Sequence, residues 1–349
     1  MSACTGCDPL VIVKDSHSSI IWFPQIDVRK KAENFLLNYG YSVRQTEDRN
    51  ELSILVEKSG NFIPRLTKTL SFVEQQATRV LFFEGTKPRL SDFGSIRTLS
   101  ELKTIHAAQW LTQLIAEKRL FSVAQPIIEP QNRTVVGHEY LVRGRSTEGF
   151  VISPDRLFQT AADLHLLFSL DREARLAAVR SAAHYPKTGM IFVNFAPGAV
   201  YDPNVCLKTT MKTIDELGID PHRVVFEIVE SNKIDDLNHL REIMRFYRKS
   251  GFRIALDDFG VGYNNIETYL ALEPNFVKLD KTLTHRMINN DRHREMVESL
   301  ISQCQVSGAA IIAEGIESHE MYVSIAETGV DFMQGYYFGY PSDPSALNS

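Results

Sequence analysis

The chain has 349 residues, 44% of them hydrophobic and 23% charged, which is too apolar for a disordered polymer and long enough for about two domains. Lysine and arginine number 38 against 43 acidic residues, a net charge of −5 with a pI ≈ 6.1, so there is no whole-chain basic field to grip duplex nucleic acid and no DNA partner is expected. The start MSACTGCDPLVIVKDS is not a secretory signal, no apolar run approaches the ~18 residues of a membrane span, and four cysteines are too few for a disulfide scaffold; the expectation is a cytoplasmic protein without a membrane span.

Residues 1–97 read as a smaller α+β domain. Short apolar or alternating runs at Leu10–Val13, Ile20–Phe23, Tyr41–Arg44, Leu52–Val56 and Val80–Phe83 predict strands, and Val28–Asn38 and Phe62–Gln76 carry helical spacing. Cys4 and Cys7 form a lone C-x-x-C, half of a zinc site at most. The Gly-, Pro- and Ser-rich stretch Gly85–Gly94 marks a domain boundary. Thr98-Leu-Ser-Glu101 has the form of a capping box and opens a helix expected to reach Lys118. That 98–118 helix either packs on its own domain or connects two parts of the chain. No motif in the first domain carries chemistry, which leaves it a regulatory or interaction role, with a signal or protein partner unspecified.

From Phe121 the pattern changes. After the strand Phe121–Ile127, apolar runs at Val135–Leu141, Met190–Val193, Val224–Phe226, Ile254–Leu256, Phe276–Val277, Ala309–Ala313 and Val330–Met333 alternate with helical stretches at Asp155–Ala183, Asn204–Leu217, Asp235–Lys249, Thr282–Gln305 and Glu320–Glu327. Alternation of this kind indicates a parallel sheet covered by helices, and about seven units suit a (β/α) barrel better than an open sheet. Residues 119–349 are therefore expected to form an α/β barrel.

The residues that end these runs carry the chemistry. Glu139 lies in the first parallel strand; Asn194, Glu227, Asp257 with Asp258, Lys278, Glu314 and Gln334 follow at successive strand ends. In a barrel all those ends meet at one mouth. Converging carboxylates raise one another's pKa unless cations neutralise them, and one lysine cannot balance five. The oxygen-rich set Glu139, Asn194, Glu227, Asp257, Asp258 and Glu314 points to hard divalent ions, Mg²⁺ or Mn²⁺. Adjacent aspartates could serve two ions and so activate water for attack on phosphorus.

The segments GHEYLVR, FVNFAP, FEIVES, ALDDFGVGYNN, FVKLD, IIAEGIES and MQGYYFGYP together resemble the EAL-type cyclic di-GMP phosphodiesterases, over about Arg119 to Pro341. The resemblance implies a TIM-like barrel with one antiparallel strand, and hydrolysis of cyclic di-GMP to linear pGpG by two metal ions. It implies that Glu139, Asn194 and Glu227 bind the first ion, Asp257 bridges, and Asp258 and Glu314 hold the second. Lys278 would contact the nucleophilic water, Gln334 would line the site, Arg143 would grip a substrate phosphate and Asp280 would lie near the substrate. Glu230 and Glu317 would support loops, and a homodimer is implied. Tyr140 stands where the family has the alanine of its name, on the face of the strand opposite Glu139, so it should alter packing more than chemistry. Val261, Asn264 and Asn265 replace threonine and serines in a loop expected to couple dimerisation to metal binding. A non-catalytic cyclic di-GMP receptor or protein scaffold is the alternative, and a phosphodiesterase for another nucleotide a third; the retained ligand set and lysine favour the enzyme.

Overall fold

The computed structural model describes residues 17–46, 48–56, 62–164, 166–184, 189–200, 202–228, 237–259, 269 and 272–345. The strand expected at Leu10–Val13, the pair Cys4 and Cys7, Glu230, and Val261, Asn264 and Asn265 lie outside these residues. The described residues separate into two compact units: His17–Gln113 with Gln159–Leu166, and Leu114–Phe158 with those from Leu167 to Ser345.

In the first unit β1 (His17–Trp22), β2 (Ser42–Gln45), β3 (Glu51–Val56), β4 (Arg79–Phe83) and β5 (Arg97–Thr98) form an antiparallel sheet in the order β2-β3-β1-β4-β5. Its core gathers Ile21, Leu52, Ile54 and Val80 from the strands with Ala32, Leu36, Phe62, Leu66, Leu99 and Leu102 from the helices. The helix Ile26–Asn38 agrees with its spacing, but Phe62–Gln76 is two helices, Phe62–Thr69 and Phe72–Ala77. The break has a local cause: Ser71 and Glu74 form a reciprocal capping box that starts a new helix. Gly85–Gly94 lies in the connection between β4 and β5 of one sheet, so it is a loop leading into a short 3-10 helix, Leu90–Ser95, of this unit. The box at Thr98 is present, with Thr98 Oγ1 accepting from Glu101 N–H at 3.0 Å and Glu101 accepting from Thr98 N–H at 2.6 Å. The helix it opens ends at Ala107, and a second runs over Gln109–Ala116.

The second unit holds β6 (Leu120–Ile128), β7 (Val135–Arg145), β8 (Val151–Ile152), β9 (Met190–Phe195), β10 (Val224–Ile228), β11 (Arg253–Phe259), β12 (Phe276–Leu279), β13 (Ala310–Ala313) and β14 (Phe332–Gln334). β6 pairs with both β7 and β14, which closes the ring β6-β14-β13-β12-β11-β10-β9-β7, while β8 only extends β7 as a hairpin. β6 is antiparallel to both neighbours, and the other seven strands of the ring run parallel to one another. This is a closed eight-stranded, TIM-like barrel with one antiparallel strand. All five residues of β10 are buried, as expected of a strand covered on both faces. The long helical stretches are again divided. Asp155–Ala183 becomes Pro154–Asp163 and Leu167–Ala183, and Asn204–Leu217 becomes Pro203–Cys206 and Lys208–Glu216. Thr282–Gln305 becomes Lys281–Ile288 and Asp291–Val306, because Asn290 caps the second helix by accepting from His293 N–H.

Side-chain period decides what the barrel interior holds. Phe192, Val225, Ala255, Phe276, Ile312 and Phe332 pack with Ile127 as an apolar plug. Each of the first six lies two residues before a polar residue, in order Asn194, Glu227, Asp257, Lys278, Glu314 and Gln334. Residues two apart on a strand share a face, so the next layer toward the carboxyl ends is polar. On β7 the plug position is Gly137, where a Cβ would lie 2.7 Å from the Met190 carbonyl.

Candidate functional site

Lys278 stands at the centre of the polar layer and is 1% exposed. Its Nζ lies 2.8 Å from Glu314, 2.9 Å from Glu227, 3.3 Å from Glu139 and 3.3 Å from Asp257. Four strands thus deliver a carboxylate to one ammonium group. Burial acts to lower the pKa of Lys278, but Asp257, Glu139, Glu227 and Glu314 outweigh it and hold the pKa well above the usual lysine value.

The carboxylates are unequal. Burial acts to raise Glu139, yet Lys278 and the amides of Gln334 and Asn194 hold its pKa below the ordinary value. Asn194 Nδ2 donates to Glu139 Oε1 at 2.9 Å, and Gln334 Nε2 donates to Oε2 at 2.7 Å. Glu227 lacks the amide donors: it is fully buried with Lys278, 2.9 Å away, beside it. Burial, followed by the charge of Glu139, lifts the Glu227 pKa well above the carboxylate range. Burial raises Asp257 as well, and pushes Glu314 up to about 8.

Adjacent aspartates on a regular strand would face opposite ways. Here β11 advances from Leu256 to Phe259 while its partner β12 advances only from Val277 to Leu279, so β11 carries one extra residue. Asp258 takes up the slack with φ 51°, in the left-handed region. The bulge brings Asp257, Asp258 and Glu314 together, with a ligand oxygen from each lying within 4.8 Å of the other two. Burial, then the charge of Asp257, pushes Asp258 up to about 6. An all-oxygen set in which five carboxylates share one lysine fits a hard divalent cation.

The remaining expected residues are placed as follows. Arg143 is half-buried four positions beyond Glu139 on β7, within electrostatic range of Glu139, Asp155 and Tyr336. Asp280 follows β12 and caps the helix Lys281–Ile288, its Oδ1 accepting from Thr282 N–H at 2.7 Å and from the Thr282 hydroxyl. Glu317 is exposed in the loop after β13. Tyr140 is buried. Gln125 was not anticipated: it lies opposite Glu139 on antiparallel β6, accepts from Gln334 Nε2 at 3.1 Å and donates to the Gly339 carbonyl at 3.2 Å. Its one sequence signal is an amide side chain within the otherwise apolar run VAQPII.

Residues 108–341 match the EAL domain family. The chain belongs to that family. Among curated relatives, cyclic di-GMP phosphodiesterase PdeF of Escherichia coli is 25% identical over 234 residues, covering 66% of this chain and 31% of that protein. Cyclic di-GMP phosphodiesterase PdeL of E. coli is 27% identical, covering 62% of this chain and 61% of that protein. The matched EAL part spans about a third of the length of the leading curated relatives. Among solved structures, a standalone EAL protein of Vibrio cholerae O395 in its c-di-GMP-bound form has TM-score 0.56 and 27% identity, over 66% of this chain and 98% of that one. An EAL domain protein of Listeria monocytogenes has TM-score 0.62 at 20% identity, over 69% and 96%, and shares the fold. No helix among the described residues is long and apolar enough to cross a membrane.

Proposed function

We propose that the barrel hydrolyses cyclic di-GMP to linear pGpG with the help of divalent cations, Mg²⁺ or Mn²⁺, two per site. The observation that carries this reading is the convergence of Asp257, Asp258 and Glu314 within 4.8 Å in the same barrel mouth as the fully buried carboxylate of Glu227. Glu139, Asn194 and Glu227 would hold one ion, Asp258 and Glu314 the other, with Asp257 between them. Asn194 commits its amide nitrogen to Glu139, which leaves its oxygen for a cation. Bound cations would supply an acidified water and screen the phosphate charge.

The chain's own groups do the rest. Lys278, set among these carboxylates, orients or deprotonates the attacking water. Gln334, held by Gln125, aligns Glu139. Arg143 receives a phosphate at the mouth, and Asp280 sets the turn beyond Lys278 through its cap. Glu230 and Glu317 act as loop supports. The apolar plug below the site keeps water out from beneath and strengthens every charge interaction above it.

Residues 1–97 serve as a regulatory or partner-binding module, 98–118 connect it to the barrel at 119–349, and the working unit is a cytoplasmic homodimer. The test is to incubate the purified full chain with cyclic di-GMP and Mg²⁺ or Mn²⁺ and follow pGpG by chromatography. Product that disappears with a chelator and returns with added metal is expected. Tight binding of cyclic di-GMP without product, in the presence of either metal, would favour a receptor.

A further inference from the structure

A second polar cluster lies outside the ring, in the helix Leu167–Ala183. Asp171 and Arg175, one helical turn apart, form an ion pair through Oδ2 and Nη1. Arg175 is 0% exposed and Asp171 3%. Arg175 Nε and Nη2 have no hydrogen-bond partner, and the guanidinium lies over the Phe195 ring at 5.3 Å. A charge pair buried this completely gives little net stability and is often replaceable by apolar side chains. Its presence asks for another explanation.

That explanation lies at the end of β9. The register of β9 runs to Val193 against β7 and to Phe195 against β10 among the described residues. The next backbone group, Ala196 N–H, is taken by Asp171 Oδ1 at 3.0 Å. Asp171 therefore stands in for a strand partner just where β9 delivers Asn194 to Glu139. Arg175 supports both halves of the clamp: it balances the Asp171 carboxylate and lies against Phe195, the residue after Asn194. Phe195 in turn packs against Tyr247 at 5.3 Å, ring centre to ring centre.

We infer that Asp171 and Arg175 are positioning residues for the cation site, acting through Ala196 and Phe195 to hold Asn194 in place. The inference rests on the function proposed above for its metal readout, and on the β9 geometry alone for its second readout. Supports of this kind behind a ligand typically change metal affinity about 10–100-fold when removed.

The test compares two full-length double variants in which the buried charge pair is gone. Asp171→Asn with Arg175→Met keeps a carbonyl acceptor for Ala196 N–H; Asp171→Leu with Arg175→Met removes it. Thermal unfolding establishes that both are folded, Mn²⁺ affinity is measured by electron paramagnetic resonance, and hydrogen exchange is followed in the peptide containing Phe195 and Ala196. The expected result is a similar melting temperature for the two. The acceptor-free variant should bind Mn²⁺ about tenfold or more weakly than the other, with about tenfold faster exchange at Ala196. A folded acceptor-free variant with wild-type Mn²⁺ affinity and unchanged exchange would overturn the inference. Should the wild-type chain itself bind no Mn²⁺, the cation reading fails, and the exchange comparison alone then upholds or overturns the clamp.

Discussion

The first unit and the barrel mouth use buried polar side chains differently. In the first unit Gln75, Thr67 and Thr78 serve the backbone: Gln75 donates to the carbonyls of Thr67 and Leu70 at 2.7 and 2.6 Å, Thr67 to Pro64, and Thr78 to Glu74. At the barrel mouth the charged side chains serve one another, with four carboxylates around one lysine. Local hydrogen bonds of the first kind stabilise turns and helix ends. Convergent like charges of the second kind oppose folding unless a ligand neutralises them. Stability and chemistry are thus built in different places, and substitutions should separate them.

The largest separation is expected at Glu139. Glu139→Gln removes a charge from a site of excess negative charge and leaves no cavity. Hydrolysis of cyclic di-GMP should fall on the order of 10³-fold while the metal-free chain stays folded with a modestly lower melting temperature, because Lys278, Gln334 and Asn194 favour the charged carboxylate. A folded variant retaining near-wild-type turnover at limiting metal would break the comparison. The converse substitution is Ile54→Ala in the first core, where Ile54 is fully buried. It should cost about 2–5 kcal/mol in denaturant unfolding of that unit while Mn²⁺ affinity of the barrel is retained. A matching loss of Mn²⁺ binding in the folded variant would show that the two units do not divide the work.

A pH effect of intermediate size should be confined to the barrel. Glu314 is lifted from 4.5 to about 8 and Asp258 from 3.8 to about 6. A carboxylate whose pKa is higher folded than unfolded holds protons in the native state that the unfolded chain has released. Stability then declines as pH rises through that window. Metal-free protein should therefore lose melting temperature between about pH 4 and pH 8, and saturating Mg²⁺ should flatten the slope; the same slope with and without metal would contradict it. The smallest effect is expected at Gln125. Gln125→Leu removes the acceptor for Gln334 Nε2 without touching a carboxylate, and should lower kcat about tenfold with little change in unfolding. An unchanged kcat would show that Gln334 needs no such hold.

How much of this was legible depended on whether the signal was local or three-dimensional. Strand runs, their order and the polar residue closing each one are local, and the barrel with its mouth follows from them. Helix continuity was over-read at Ser71 and Asn290, where a cap interrupts an otherwise periodic face. The boundary suggested by Gly85–Gly94 failed because composition cannot tell a loop between two strands of one sheet from a linker. Gln125 escaped notice because its importance comes from antiparallel pairing with Glu139, which exists only once the ring closes. The clamp of Asp171 and Arg175 was likewise hidden, since an acid and a base four apart on a helix ordinarily form a solvated pair. That both aspartates of Asp257-Asp258 could serve one site was foreseen from their chemistry, but the positive φ and the bulge that allow it were not.

The central claim is that the mouth of the barrel is a cation site and not a self-sufficient ion-pair network around Lys278. Its most direct test is a Mn²⁺ titration of the full chain by electron paramagnetic resonance, with Asp257→Asn as the control. The account predicts saturable binding of two ions per barrel in the wild type and loss of at least one in the variant. Binding in the folded wild type no stronger than in Asp257→Asn would contradict it.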